Sequence, residues 1–298
     1  MHARVGESIL QLWRASGARS LFVAGTAKNV GKTVALRAVY RACTATGSFP
    51  GIASIGRDGE AVDAVDAIAK PRLWLEPQTV IATARDVLPA SPASELLALS
   101  SITTAAGVLV FARVRCGAHY ELIGPPNASA VRAVVDRLVD YAGIAIVDGA
   151  VDRVAALAGG DDAIVVACGA AGAATIGEIV DDVRALVVRL QTPRYDGRGE
   201  ALAIEGALTP ARVAQLIHAR EQRAIVVRDP TQIVLRGKAV LHAFERLRIR
   251  CERPLRVIAA TVASIGGDRS FSPRALAEGV ARATGLPTFD VYAAERAA

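Results

Sequence analysis

The chain has 298 residues, 52% hydrophobic and 21% charged, a length and balance that fit one large α/β domain or two small ones and exclude a disordered polymer. The net charge of +6 comes from arginines spread along the whole chain with no basic run of five or six, which argues against a nucleic-acid partner and leaves a mildly basic, solvated surface. Four widely spaced cysteines, Cys43, Cys116, Cys168 and Cys251, with no C-x-x-C pair, argue against a metal cluster or disulfide framework and predict buried free thiols in a reducing cytoplasm.

Residues 7–16 read as a short amphipathic helix, with charges where a signal peptide needs an apolar stretch, so a cytoplasmic location is expected. The apolar strand 21–24 follows, then a glycine-bounded loop, a helix over 33–46 and a strand over 51–55. Residues 72–84 and 108–123 each read as paired short strands around a turn, Glu76-Pro77-Gln78 in one and Cys116-Gly117 in the other. Leu96 to Ala112 is the longest uncharged stretch. Ser100, Ser101, Thr103, Thr104 and Gly107 interrupt it, and it reads as a helix end, a turn and a strand start rather than a membrane span. Beyond Pro125-Pro126, helices are predicted over 128–142, 176–190, 210–221, 237–248 and 273–284. They alternate with strands near 144–147, 163–168, 201–204, 224–228 and 256–263. The fold class that follows is α/β: a doubly wound, mostly parallel sheet with an antiparallel hairpin region inserted around 70–125, all within a single domain over 1–298.

The segment Gly25-Thr26-Ala27-Lys28-Asn29-Val30-Gly31-Lys32-Thr33-Val34 joins a strand to a helix, the setting in which a glycine-rich loop cradles phosphates. Loop amides and the helix dipole would face the phosphate oxygens, Lys32 would reach the β- and γ-phosphates, and the Thr33 hydroxyl would ligate Mg²⁺. Two of the chain's four lysines, Lys28 and Lys32, fall here. The strict G-x-x-x-x-G-K-[ST] spacing puts glycine at position 26, where this chain has Thr26 after Gly25, so the loop is one residue longer.

This loop resembles that of dethiobiotin synthetases and related members of the SIMIBI class of P-loop NTPases. The resemblance implies a parallel sheet in which the P-loop strand neighbours the strand bearing the magnesium carboxylate, and a homodimer with nucleotide at or near its interface. Ser91-Pro92 is similar to a dethiobiotin-synthetase stretch. However, Ala27 stands where that family has aspartate, Gly56-Arg57 where it has the substrate lysine, and Asp148-Gly149-Ala150-Val151-Asp152 where it has Glu-Gly-Ala-Gly-Gly.

For the metal side, Asp148 ends the apolar run 144–147 and is the first choice; Asp161 and Asp162 precede their strand and would lie at the opposite edge. Asp58, after the second strand, is a second candidate for a Mg²⁺ ligand or for orienting the attacking water, with Glu60 an alternative and Arg57 able to offset γ-phosphate charge. Lys28 is either a solvated loop lysine or a residue reaching across a dimer interface. Asp152-Arg153 could form a second switch. No lysine is followed two positions later by aspartate, the guanine-reading element of many P-loop proteins, which favours ATP over GTP.

The segments 27–33, 54–60 and 148–153, with the closing Phe289-Asp290-Val291, are together similar to a group of bacterial P-loop proteins associated with gene clusters for cobalamin-dependent aminomutases. The expected function is Mg²⁺-dependent nucleoside triphosphate binding with slow hydrolysis, catalysed through Lys32, Asp58 and Asp148. The protein would act as an accessory or switch NTPase for a client metabolic enzyme, with no membrane partner. Two alternatives stay open: an ATP-dependent ligase acting on a small carboxylate or carbamate, and a nucleotide-binding module without hydrolysis.

Overall fold

Strand β1 (Ser20–Gly25) is buried at every position, as expected of a strand covered on both faces. The computed structural model describes residues 2–55, 72–89, 92–104, 106–149 and 161–292, and the chain divides into two compact units. Residues 1–24 and 32–156 form one, and residues 25–31 and 157–298 the other.

In the first unit, helix α1 (His2–Ser16) buries Ile9, Leu10 and Trp13 and packs on α2 (Lys32–Ala45). Then come β2 (Gly51–Ser54), β3 (Leu73–Leu75), β4 (Val80–Ala84), β5 (Ser94–Thr104), β6 (Gly107–Val114), β7 (Ala118–Tyr120), α3 (Ala128–Ala142) and β8 (Ala145–Asp148). Asn127 caps α3 by accepting the Ala130 N–H at 2.9 Å. The large, mostly parallel sheet of this unit has the order β1-β8-β2-β4-β6-β5: the first four strands are parallel, and β6 and β5 are added antiparallel.

The antiparallel region is present, but its pairing differs from the two expected hairpins. β3 pairs with β7, while β4 lies parallel to β2 and antiparallel to β6. The turn at Glu76–Thr79 is tied to helix α2. The Tyr40 hydroxyl accepts the Glu76 N–H at 2.7 Å and shares a hydrogen bond with Thr79 Oγ1 at 2.7 Å. The stretch expected to hold a helix end is instead β5, running antiparallel into β6, with Thr104 Oγ1 donating to the Gly107 carbonyl across the turn at 2.8 Å. Serine and threonine spaced along β5 suit a half-exposed strand as well as they suit a turn.

The second unit contains β9 (Asp162–Gly169), α4 (Ile176–Leu190), β10 (Ala201–Ala203), α5 (Pro210–His218), β11 (Ala224–Val227), α6 (Lys238–Arg246) and β12 (Ile249–Cys251). It continues with β13 (Arg256–Ala263), β14 (Ile265–Gly266), β15 (Arg269–Ser270), α7 (Pro273–Thr284) and β16 (Thr288–Asp290). β9, β13 and β16 lie side by side and parallel. Thr175 and Glu178 form a reciprocal capping box at the start of α4. The strands expected near 201–204 and 224–228 belong to a separate parallel sheet, β10-β11-β12. It has its own core, including Leu208, Ile225, Val227, Val240 and Ile249. β12 arises because α6 stops at Arg246, before the apolar Ile249 and Cys251, which alternate with the half-exposed Arg250. No helix among the described residues is long and apolar enough to cross a membrane.

Candidate functional site

Parallel pairing brings three strand ends of the first unit together. Val23 of β1 lies opposite Asp148 of β8, and Asp148 lies opposite Ser54 of β2. The pairing continues one step further, with the Gly149 N–H donating to the Val23 carbonyl at 3.0 Å and the Ile55 N–H to the Asp148 carbonyl at 2.8 Å. Gly149 has no alternative here, because a Cβ at this position would sit 2.5 Å from the Val23 carbonyl oxygen. Asp148 is therefore fixed at the carboxyl end of β8, the strand beside β1.

Helix α2 of the same unit starts at Lys32, and its first turn carries Lys32, Thr33 and Val34, all half-buried. Thr33 Oγ1 donates to Asp148 Oδ2 at 3.4 Å. Burial pushes the Lys32 ammonium below its ordinary pKa, and the charge of Asp148 works in the opposite direction. A cation, a hydroxyl and a carboxylate thus meet at a helix N-terminus, where the macrodipole adds positive potential.

The loop before this helix belongs with the second unit. Gly25 ends β1 and is buried, and the Thr26 N–H donates to the Ala167 carbonyl of β9 at 3.0 Å. Thr26 and Ala27 are half-buried, Lys28 and Asn29 exposed, and Val30 buried. The backbone is left-handed at Asn29 (φ 58°) and again at Gly31 (φ 86°). Left-handed residues in such alternation belong to turns that aim successive N–H groups into an anion-sized concavity. Glycine is required at 31 for a second reason: a Cβ there would meet the Ala263 Cβ at 3.0 Å and a Val291 methyl at 3.1 Å.

Asp58, with Arg57 and Glu60, lies outside the described residues, as do Ser91, Asp152 and Arg153. Among the described residues, no group of three or more His, Cys, Asp or Glu side chains could hold a metal ion. Cys43, Cys168 and Cys251 are buried, but Cys116 is exposed, against the expectation that all four thiols lie inside. Cys116 borders an open groove of about 950 Å³ that Arg85, Leu88, Pro92, Glu95 and Arg115 also line, with Arg115 and Glu95 paired at 2.7 Å.

The sequence reading assigned no role to three buried polar side chains of the second unit, Thr261, Ser264 and Asp290. Each has a side-chain oxygen without a hydrogen-bond partner among the described residues. Phe289-Asp290-Val291 stood out as a pattern, but a buried aspartate at a strand end looks the same in sequence as an exposed one that caps a turn. No family model matches the chain, and neither a curated protein nor a solved structure matches it.

Proposed function

We propose that the chain binds a nucleoside triphosphate with Mg²⁺ through residues 25–34, ATP in preference to GTP, and hydrolyses it slowly as an accessory or switch NTPase serving a metabolic enzyme. The observation that carries this reading is the Thr33 hydroxyl bonded to Asp148 Oδ2 at 3.4 Å, with Lys32 half-buried on the same helical turn. Two oxygens at adjacent positions of an octahedral Mg²⁺ site lie about 3.0 Å apart, given bonds of about 2.1 Å. The observed separation fits Thr33 as a direct ligand and Asp148 as a ligand either directly or through a water.

On this reading Thr33 and Asp148 would hold the ion, which when bound would neutralise charge on the β- and γ-phosphate oxygens. Lys32 would place its ammonium on those phosphates, and a polyphosphate partner would return its pKa toward the ordinary value. The turn through Asn29 and Gly31 would supply main-chain N–H donors. Asp58 keeps its candidacy for orienting the attacking water.

The test is turnover of ATP and GTP with and without Mg²⁺, together with nucleotide binding by Lys32→Ala. Unchanged affinity in that variant would remove the phosphate assignment. ADP release that depends on a small carboxylic or amino acid would favour the ligase alternative, and binding with no hydrolysis under any condition would favour the module.

A further inference from the structure

Strands β1, β8 and β2 carry matched rows of side chains across the sheet of the first unit. Leu21, Ile146 and Ile52 pair in one row, and all three are fully buried. Two residues further along, the row is Val23, Asp148 and Ser54. Residues paired across parallel strands leave the same face of the sheet, and residues two apart along a strand share it. Asp148 and Ser54 therefore project side by side, across a strand spacing of about 4.8 Å.

Which face this is follows from two contacts. A Cβ on Gly51 would lie 2.8 Å from the Leu138 Cβ, so Gly51 faces helix α3. Ser54, three residues further along β2, leaves by the opposite face. That is the face on which Thr33 of α2 reaches Asp148. On its other side Asp148 has Val23, apolar and fully buried, so Ser54 is its polar neighbour in the row. The row below is closed and apolar. At this level Asp148 and Ser54 are both half-buried, at the carboxyl ends of parallel strands, where ligands lie on α/β sheets.

We propose that Ser54 is a positioning residue for the metal side of the phosphate site, its hydroxyl accepting a hydrogen from a water that Mg²⁺ carries beside Asp148. This rests on the phosphate assignment made above. Mg²⁺ dehydrates reluctantly and keeps several waters in protein sites, and each retained water has two hydrogens to place. The Ser54 hydroxyl is the next acceptor along the row from Asp148, at a spacing that one water bridges. Partners of this kind, one step removed from the ion, set metal affinity by orienting what the ion holds. Ser54 carries no charge, so its effect should appear only when the hydrated ion is present.

The test is calorimetric titration of the full chain with ATP over a series of free Mg²⁺ concentrations and in EDTA. Ser54→Ala should raise the free Mg²⁺ needed for half-maximal tightening of ATP about fivefold and leave the affinity in EDTA unchanged. Ser54→Thr, which keeps the hydroxyl and suits a strand, should restore the wild-type midpoint. In an Asp148→Asn background, Ser54→Ala should have a smaller effect, because the two side chains act on the same hydrated ion. A wild-type midpoint in Ser54→Ala, an equal loss of affinity in EDTA, or a shift that persists in full beside Asp148→Asn would overturn the assignment of Ser54 while the phosphate site stands. Failure of wild type to bind inorganic tripolyphosphate would instead remove the phosphate site, and the role of Ser54 with it.

Discussion

The hydroxyl of Thr33, on the first turn of α2, donates to the carboxylate of Asp148, at the end of β8, over 3.4 Å and 115 residues of sequence. It joins a helix start and a strand end that the parallel pairing of β1 with β8 has already brought into register. The chemistry proposed for this protein depends on that juxtaposition, and the predictions follow from it.

Asp148→Asn removes a negative charge without changing shape. Nucleotide affinity in the presence of Mg²⁺ should fall about tenfold, equivalent to about 1.4 kcal/mol, while affinity in EDTA stays level or rises because the phosphates lose a repulsive neighbour. Titrations with and without the metal check it, and Asp58→Asn should have the smaller effect on Mg²⁺-dependent turnover.

Lys32 yields a pH dependence. Its folded-state pKa lies below 10.5, mainly through burial, so folding releases a proton in the window between the depressed value and 10.5. The residue therefore costs stability at pH below that window, and the cost fades as pH rises through it. A phosphate anion needs the charged form, so tripolyphosphate binding should weaken as pH climbs toward 10.5. Lys32→Arg, which stays charged, should flatten that decline.

Gly149→Ala should be more damaging than Gly143→Ala. The first places a methyl 2.5 Å from the Val23 carbonyl oxygen in the middle of the site. Overpacking of that kind costs about 1–3 kcal/mol. The second has φ of 78° but nothing within 4 Å of the new methyl, so only local backbone strain of about 1 kcal/mol applies. Thermal unfolding of the two variants gives the order, and only Gly149→Ala should also disturb nucleotide binding.

Thiol labelling separates the cysteines. Burial pushes Cys43 and Cys168 up to about 12 and Cys251 to about 11, which leaves almost no thiolate near pH 8. Cys116 is exposed. An aromatic disulfide reagent at pH 8 should modify Cys116 alone in the native protein and all four cysteines in denaturant; rapid native labelling of Cys168 would mean that β9 opens readily.

Helices α4 and α7 and strand β13 fall on the expected residues, because long amphipathic or continuously apolar runs carry their own period and their caps are local. The loop at 25–33 was legible for the same reason: a strand, a glycine pair and a helix start are neighbours in sequence. The position of Asp148 at a strand end was legible because it closes an apolar run.

Pairing partners were not legible. Nothing near residues 72–84 says that β3 will join β7 rather than β4, since β7 and the Tyr40 hydroxyl that bonds the intervening turn both come from distant parts of the chain. Residues 201–227 read as more of the main sheet, and only packing around Ile225 and Val240 made them a separate one.

By itself, then, the sequence determined most of the helices and many of the strands, and where a glycine-bounded strand–loop–helix junction lies, because these are written in contacts between near neighbours. Tertiary structure alone decided that Thr33 meets Asp148, that Gly31 lies against Ala263 and Val291, and that Ser264 and Asp290 are buried with oxygens that have no partner among the described residues. Burial and register are properties of chain segments far apart in sequence, and no local pattern encodes them.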